Sequence, residues 1–286
     1  MTHQRTRLFV VTDPHADQQA ALVKALLIAG LADCEVHAFL CIYRDIEESG
    51  EYASRKDFKH RSIKEAEQWL AEQLRPLDTA GVPHTSEVVW NSDWCTSALH
   101  AIARSDCDLV IKSSYHHSRA KRFFSKTSDY ALMRGCACPV LFVHPEQDWQ
   151  SGRVLACVDL ESHDPGHLRL NKAIFRDAQA LANIIAMDLY IAVAYSGELN
   201  PDNLPLKDHR PATNAKKLAA FYDLESSRIL LRDGETVTTL ADICEEIDPS
   251  IVVLGTLARR GIEGKLIGNT AEKLLDLTRA DVLTVN

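Results

Sequence analysis

Leu8-Phe9-Val10-Val11-Thr12-Asp13 is a short apolar run that ends in an acidic residue, and Val154-Leu155-Ala156-Cys157-Val158-Asp159 repeats the pattern in the second half of the chain. Short apolar runs with helical periodicity around them are typical of buried parallel strands. An amphipathic helix is predicted after each run, at about 18–32 and at about 171–186. The two stretches therefore predict two equivalent units, each of which begins with a strand followed by a helix.

The later strands follow in the same order in both halves of the chain. They are predicted at 35–42, 87–90, 108–112 and 140–143 and, in the second half, at 187–195, 228–231, 251–255 and 282–285. Strands that alternate with helices imply right-handed crossovers and a parallel sheet covered on both faces. We therefore predict an α/β fold of two tandem open-sheet domains with five-stranded parallel sheets, at 1–147 and 148–286, with the boundary in the polar stretch 144–152.

The two halves differ after their second strands. The first half has a long predicted helix at 54–80, which Pro76 is expected to kink or to end early. The second half has a loop at 196–211 that is rich in Pro, Asn and Asp. A loop of that length is typical of a lid or a binding segment, and equally of disorder.

Composition and charge exclude several classes of protein. Hydrophobic residues make up 46% of the 286 residues and charged residues 25%, as in average globular domains. The net charge of −8 is spread over two halves of which neither is basic, so no nucleic-acid partner is expected. No apolar stretch reaches the roughly 18–20 residues of a membrane span, and no signal-peptide core is present. The eight cysteines suit reduced thiols, so a soluble cytoplasmic protein is predicted.

The stretch with the most chemical information follows the strand at 251–255. This strand runs into a loop that bears several glycines, and the loop runs into a helix capped by Asn269 or Thr270. Ligands of open parallel sheets bind at the carboxyl ends of the strands, and the amides at a helix N-terminus suit a phosphate group. The same glycines also suit tight turns and a helix start, so spacing alone leaves both interpretations open.

The order of segments and this motif resemble the tandem members of the universal stress protein family, of the UspE type, and the resemblance covers essentially the whole chain. Nucleotide-binding members carry Gly, two residues, Gly, nine residues, and then Gly followed by Ser or Thr. Gly255, Ala258 and Gly268 keep that spacing here. The sequence departs from the motif in Ala258, which replaces the second Gly, and in Asn269, which replaces the Ser or Thr.

The resemblance implies a nucleotide site in the second domain. It places the carboxylate of Asp159 against the adenine and the backbone of Val193 and Ala194 beside the base. It places the ribose and phosphates against residues of the motif and its flanks, which are Leu254, Gly255, Leu257, Ala258, Arg259, Gly268, Asn269 and Thr270. The implied ligand is ATP or ADP, with Mg²⁺ as an accompanying ion, and the implied role is that of a sensor or regulator in stress tolerance.

The first domain has lost the motif, because side chains replace its small residues. The positions of Gly255, Ala258 and Gly268 are taken there by Lys112, Tyr115 and Ser125, although Asp13 survives at the position of Asp159. We therefore expect the first domain to be structural or to bind something else. A zinc site is one alternative, built from Cys136 and Cys138 with His116, His117 or Asp129, but two core thiols is the preferred interpretation.

Other functions remain open at this stage. The same pocket in the second domain could hold an apolar or lipid-derived ligand or a protein partner instead of a nucleotide. No common catalytic motif is present, so a dedicated enzyme is not expected, and a slow ATPase would lack an evident general base. The last strands, 140–143 and 282–285, are expected to pair antiparallel and make a pseudo-twofold dimer within one chain, which itself is a monomer or a homodimer.

Overall fold

A computed structural model gives the fold. It describes residues 5–16, 18–45, 54–114, 122–162, 164–196, 211–256, 259–260, 266–267 and 270–286. The chain divides into two compact units, Met1–Pro145 and Glu146–Asn286. None of the helices in the described ranges is long and apolar enough to cross a membrane.

The first unit alternates strands and helices along its whole length. Its elements are β1 (Thr6–Thr12), α1 (Ala20–Ala29), β2 (Cys34–Ile42), α2 (Arg55–Ala80), β3 (His84–Trp90), α3 (Trp94–Ser105), β4 (Leu109–Ser113), α4 (Arg122–Gly135) and β5 (Val140–Val143). The strands lie in the order β3-β2-β1-β4-β5, and every neighbouring pair is parallel. Phe9, Phe39 and Phe142 are fully buried on these strands, because helices cover both faces of a parallel sheet.

The second unit repeats this order. Its elements are β6 (Arg153–Cys157), α5 (Pro165–Ile184), β7 (Asp188–Tyr195), α6 (Pro211–Tyr222), β8 (Ile229–Asp233), α7 (Thr236–Ile247), β9 (Ile251–Gly255), β10 (Arg259–Arg260), β11 (Leu266–Ile267), α8 (Thr270–Leu277) and β12 (Asp281–Val285). The main sheet has the order β8-β7-β6-β9-β12 and is parallel. The predicted α/β class with parallel open sheets is confirmed. The pairing predicted between the last strands of the two units stays a prediction.

Helix α2 shows how local sequence sets an element's ends. The Ser54 side chain accepts a hydrogen bond from the amide of Asp57 at 3.1 Å and so caps the first turn. Gly81 ends the helix with a φ of 67°, a conformation that glycine adopts without a steric cost. The expectation that Pro76 ends the helix early is wrong, since the helix continues to Ala80. The buried face that includes Leu74 and Leu77 outweighs the one backbone hydrogen bond that a proline removes.

Two differences from the sequence prediction lie close to the motif. Strand β6 ends at Cys157, before the predicted strand end at Asp159, and helix α5 begins at Pro165, before the predicted start at about 171. Proline suits the first turn of a helix because the missing amide has no helical partner there. The loop after β9 contains a short antiparallel pair, in which Arg259 lies opposite Ile267, where only an irregular loop was predicted.

Candidate functional site

A cavity of about 500 Å³ opens at the carboxyl ends of β6, β7 and β9 in the second unit. Predicted site residues from four separate segments line it, namely Asp159, Ala194, Leu254, Gly255 and Thr270. Its volume falls within the range of small-molecule pockets, and its place is where open parallel sheets bind ligands. The fold therefore brings the described part of the motif to one concave surface.

Of the remaining predicted site residues, two lie in the described part of the chain and four lie outside it. Val193 is fully buried in β7, and its side chain does not line the cavity. Arg259 lies on β10 of the hairpin that follows β9. The other four predicted residues lie outside the part of the chain that the structure describes, and they are Leu257, Ala258, Gly268 and Asn269.

Asp159 forms the turn that follows β6. Its Oδ1 atom accepts hydrogen bonds from the amides of Glu161 at 2.9 Å and Ser162 at 3.2 Å. Its Oδ2 atom lies 3.7 Å from Nε2 of His167, and 40% of the side chain is exposed. One oxygen of the carboxylate thus holds the turn, and the other lies near His167.

Asn171 on α5 fixes the backbone of Asp159 from both sides. Its Nδ2 donates to the Asp159 carbonyl at 2.6 Å, and its Oδ1 accepts from the Asp159 amide at 3.1 Å. Gln19 does the same for Asp13 in the first unit, with distances of 2.7 and 3.1 Å. Both amides are buried, so each unit holds its strand-end aspartate with a paired amide side chain.

Gly255 has a packing role that its place in the motif did not reveal. A Cβ atom at this position would lie 2.3 Å from Cδ2 of Leu170 and 3.1 Å from Cδ1 of Ile174. Gly255 does not have a positive φ, so its backbone conformation alone does not demand glycine. Close contact between α5 and β9 therefore requires glycine here, whatever the cavity holds.

Hydrogen bonds stiffen the rim of the cavity. Oε1 of Glu161 accepts from the amide of Ser196 at 2.8 Å, which joins the turn after β6 to the end of β7. The amide of Thr256 donates to the carbonyl of Val285 at 2.9 Å, and its hydroxyl donates to the Asn286 side chain. These contacts join the carboxyl end of β6 to that of β7, and the carboxyl end of β9 to that of β12.

Carboxylates outnumber cations on the described wall of the cavity. Asp159 and Glu161 line it, and His167 is the one basic side chain among the lining residues that the structure describes. His167 also lies 3.2 Å from Asp164, and hydrogen bonds from the Gly166 amide and then from His167 lower the pKa of the Asp164 carboxyl. A polyphosphate bound here would need positive charge from the loop between β9 and α8.

Sequence reasoning missed His167 and Asn171. The predicted helix began at residue 171, which left His167 in a loop and placed Asn171 at a helix end. The helical spacing of these two residues, four apart on α5, puts them on one face. A buried amide on the inward face of a helix is the signal that could have identified Asn171.

The corresponding place in the first unit holds an ion pair. Nζ of Lys112, the counterpart of Gly255, lies 2.6 Å from Oδ1 of Asp129 and donates to the carbonyl of Ser113 at 2.8 Å. The other Asp129 oxygen accepts from the hydroxyl of Ser114 at 3.0 Å. Both charged side chains are at most 14% exposed. The Lys112 side chain thus lies at the position where the sequence predicts that a ligand can no longer approach the backbone closely. Tyr115, at the position of Ala258, lies outside the described residues.

The zinc alternative finds no support in the described part of the chain. No group of three metal-binding side chains there has an arrangement that could hold a metal ion. Asp129 is engaged with Lys112, and His116 and His117 lie outside the described residues. Cys138 instead lies near two thiols, 3.5 Å from Cys136 and 3.3 Å from Cys107, measured between sulfur atoms. Cys107 is a neighbour that sequence spacing did not reveal.

Comparison with known proteins identifies the family. The model of the universal stress protein family matches residues 4–144 and again 152–286. Universal stress protein E of Escherichia coli is 28% identical over 97% of this chain and 93% of its own. A homologue from Haemophilus influenzae is 22% identical over 97% of this chain and 96% of its own.

Solved structures agree with this assignment. A functionally unknown protein from Pseudomonas aeruginosa has a TM-score of 0.77 and 25% identity, and the match covers 98% of this chain and 92% of that one. A universal stress protein from Archaeoglobus fulgidus, 13% identical, has a TM-score of 0.73 over 99% of both chains and shows the same fold. The two family matches within one chain confirm the predicted resemblance, and the protein belongs to the universal stress protein family as a tandem member.

Proposed function

We propose that the second unit binds an adenine nucleotide, ATP or ADP, and that the protein acts as a nucleotide-dependent sensor or regulator in the cytoplasmic stress response. The observation that supports this most directly is the cavity at the carboxyl ends of β6, β7 and β9. It brings Asp159, Gly255 and Thr270 together from segments far apart in the sequence. Gly255 belongs to the family's nucleotide motif, and the resemblance places Asp159 and Thr270 beside the nucleotide as well.

The polar groups of the cavity fit an adenine at one end. An ionised carboxylate only accepts hydrogen bonds, and the exocyclic amino group of adenine only donates them. Oδ2 of Asp159, which lies 3.7 Å from Nε2 of His167, would accept from that amino group, and Ala194 lines the same cavity. The phosphates would extend toward Thr270 at the start of α8, where the helix N-terminus favours negative charge. Mg²⁺ would accompany the phosphates.

Asp159→Asn tests this assignment more sharply than Asp159→Ala. Asparagine keeps an Oδ1 acceptor for the turn amides but replaces Oδ2 with a donor, which opposes an adenine amino group. Losing a hydrogen bond to a charged group costs about 1.5–3 kcal/mol, so we expect ATP affinity to fall roughly ten- to a hundredfold. Isothermal titration calorimetry of the full chain with Mg²⁺ and ATP gives the affinity.

Asp13→Asn is the matched control. Asp13 makes the same kind of turn, with its Oδ1 accepting from the amide of His15 at 2.9 Å, and its unit lacks the motif. Its substitution should leave ATP affinity unchanged. Equal losses in both variants would refute the assignment to the second unit. Absence of an ATP-bound mass in native mass spectrometry at millimolar ATP would refute nucleotide binding, and a copurified lipid mass would favour an apolar ligand.

A further inference from the structure

Three thiols of the first unit lie together at the amino ends of its strands, on the opposite edge of the sheet from the carboxyl-end positions. Cys107 comes two residues before β4, and Cys138 comes two residues before β5. Their sulfur atoms are 3.3 Å apart, and Cys136 Sγ lies 3.5 Å from that of Cys138. The unit therefore holds a cluster of reduced thiols that neither the family motif nor the proposed nucleotide site uses.

The backbone geometry permits a disulfide between Cys107 and Cys138. Strands β4 and β5 are parallel with Val110 opposite Val140, so Cys107 lies one residue from the position opposite Cys138. Neighbouring strands lie about 4.8 Å apart, which places the two Cα atoms roughly 6 Å apart and within the range of natural disulfides. The sulfur atoms need to approach by about 1.3 Å to reach the bonded distance.

Cys107 is the member of the cluster that lines a cavity, which has a volume of about 400 Å³ and lies at the amino ends of the strands. Cys107 and Cys138 are both partly exposed, whereas Cys136 is buried. Arg7 and Arg104 line the same cavity, each beside a carboxylate at 2.9 and 2.8 Å. A small oxidant can therefore reach the Cys107 sulfur from a pocket whose wall carries balanced charge.

Hydrogen bonds with Cys138 lower the pKa of both Cys107 and Cys136, and of these two only Cys107 is partly exposed, which favours it as the nucleophile. The neighbouring Cys138 thiol, and after it the Ser105 side chain, lower the pKa of Cys107 to about 7 against the opposing effect of burial. Hydrogen bonds with the thiols of Cys107 and Cys136, and then burial, raise the pKa of Cys138. Burial raises the pKa of Cys95, in the same unit, to about 11. A thiolate is the reactive form of cysteine, so Cys107 is activated while Cys95 is not.

We propose that Cys107 and Cys138 are a redox-active pair that a hydroperoxide oxidises to a disulfide. The Cys107 thiolate attacks the peroxide, forming an S–O bond while the O–O bond breaks, and the released alkoxide or hydroxide takes up a proton. Cys138 then attacks the sulfenic sulfur, the S–S bond forms, and hydroxide leaves with the Cys138 proton as water. Two thiols are oxidised by two electrons and one peroxide is reduced to an alcohol or water.

The test uses the full chain and one equivalent of hydrogen peroxide, followed by alkylation and trypsin without reductant. Cleavage after Arg104, Lys112, Arg134 and Arg153 releases one peptide with Cys107 and another with both Cys136 and Cys138. We expect these two peptides to appear joined and to separate on reduction. Cys107→Ser should abolish the joined species, and Cys138→Ser should abolish it while leaving a sulfenic acid on Cys107 that dimedone traps.

Cys136→Ser is the matched control, because it removes a thiol of the same cluster that the proposal does not require. The joined peptides should persist in this variant. In untreated protein, Cys107 should react with iodoacetamide at least about tenfold faster than Cys95 at neutral pH, since its thiolate fraction is far larger. Absence of the joined peptides in the wild-type chain, or their loss in Cys136→Ser, would overturn the proposal. A stoichiometric zinc ion that protects all three thiols would also overturn it.

Discussion

The packing of Gly255 against α5 gives a quantitative prediction for Gly255→Ala. The added Cβ would lie 2.3 Å from Cδ2 of Leu170 and 2.8 Å from its Cγ, both within a buried side chain. Atoms in van der Waals contact stay about 3.5–4 Å apart, so Leu170 has to move by more than about 1 Å. Overpacking of this size costs about 1–3 kcal/mol. We therefore expect the second unit to lose that much stability.

Hydrogen exchange measured by mass spectrometry resolves this loss, because it reports each unit separately where a single unfolding curve would mix two. A loss of 1–3 kcal/mol corresponds to a fall in protection of β9 amides by about 5- to 150-fold. The strands of the first unit should keep their protection. That unit serves as the internal control of the experiment.

Leu170→Ala separates the clash from other effects of the substitution. On its own it should destabilise the second unit by about 2–5 kcal/mol, because it leaves a cavity. In the double variant the new methyl group enters the vacated space. The loss of stability of the double variant should therefore be smaller than the sum of the two single losses by about 1–3 kcal/mol. Strictly additive losses, or a Gly255→Ala variant with unchanged protection, would refute the packing argument. Because Leu170 also lines the cavity, the ATP affinity of the double variant is compared with that of Leu170→Ala, and the difference reports what Gly255 does for the phosphates.

The ion pair between Lys112 and Asp129 and the hydrogen bonds from Asn171 to the Asp159 backbone give two further predictions. Asp129→Asn leaves the Lys112 ammonium buried without its carboxylate and should destabilise the first unit by about 3–5 kcal/mol. A double variant, Lys112→Met with Asp129→Leu, should recover most of that loss. Hydrogen exchange at β4 measures the stability of both variants. Equal losses in the single and double variants would contradict this account. Asn171→Leu removes the side-chain partners of the Asp159 amide and carbonyl and should cost about 2–6 kcal/mol, from roughly 1–3 kcal/mol for each orphaned group. It should lower ATP affinity as well. An Asn171→Leu variant with full thermal stability would show that water replaces the amide.

The sequence supported the fold class and the order of elements well, because both depend on local periodicity. The apolar runs at β1 and β6 and the helical patterns after them recur with similar spacing, and buried strands follow those runs closely. Element ends were less accurate. The turn amides that Asp159 binds end the strand pattern early, and Pro165 starts α5 one and a half turns before its clear periodicity begins. The first effect depends on polar contacts in a turn and the second on the fixed φ of one proline, and hydrophobic periodicity registers neither.

The candidate site was predictable only where its residues follow a linear motif. Gly255 belongs to such a motif and Thr270 flanks it, and the structure brings them to one cavity with Asp159. The role of Asn171 depends on tertiary packing, because it is set by how α5 lies on β6. The contact between the sulfurs of Cys107 and Cys138 likewise depends on the register of β4 with β5. The reason that glycine occupies position 255 was also tertiary, since Leu170 lies far away in sequence.

In the ion pair of the first unit, the Asp129 carboxylate occupies the place beside Lys112 that an external anion would otherwise take. A tethered carboxylate faces its cation at an effective concentration that no dissolved anion matches, so an external phosphate competes poorly for Lys112. A nucleotide bound as proposed would then saturate at one molecule per chain. Its binding curve would be a simple hyperbola, and occupancy would follow cellular nucleotide concentration gradually, without the steep threshold that two coupled sites can produce.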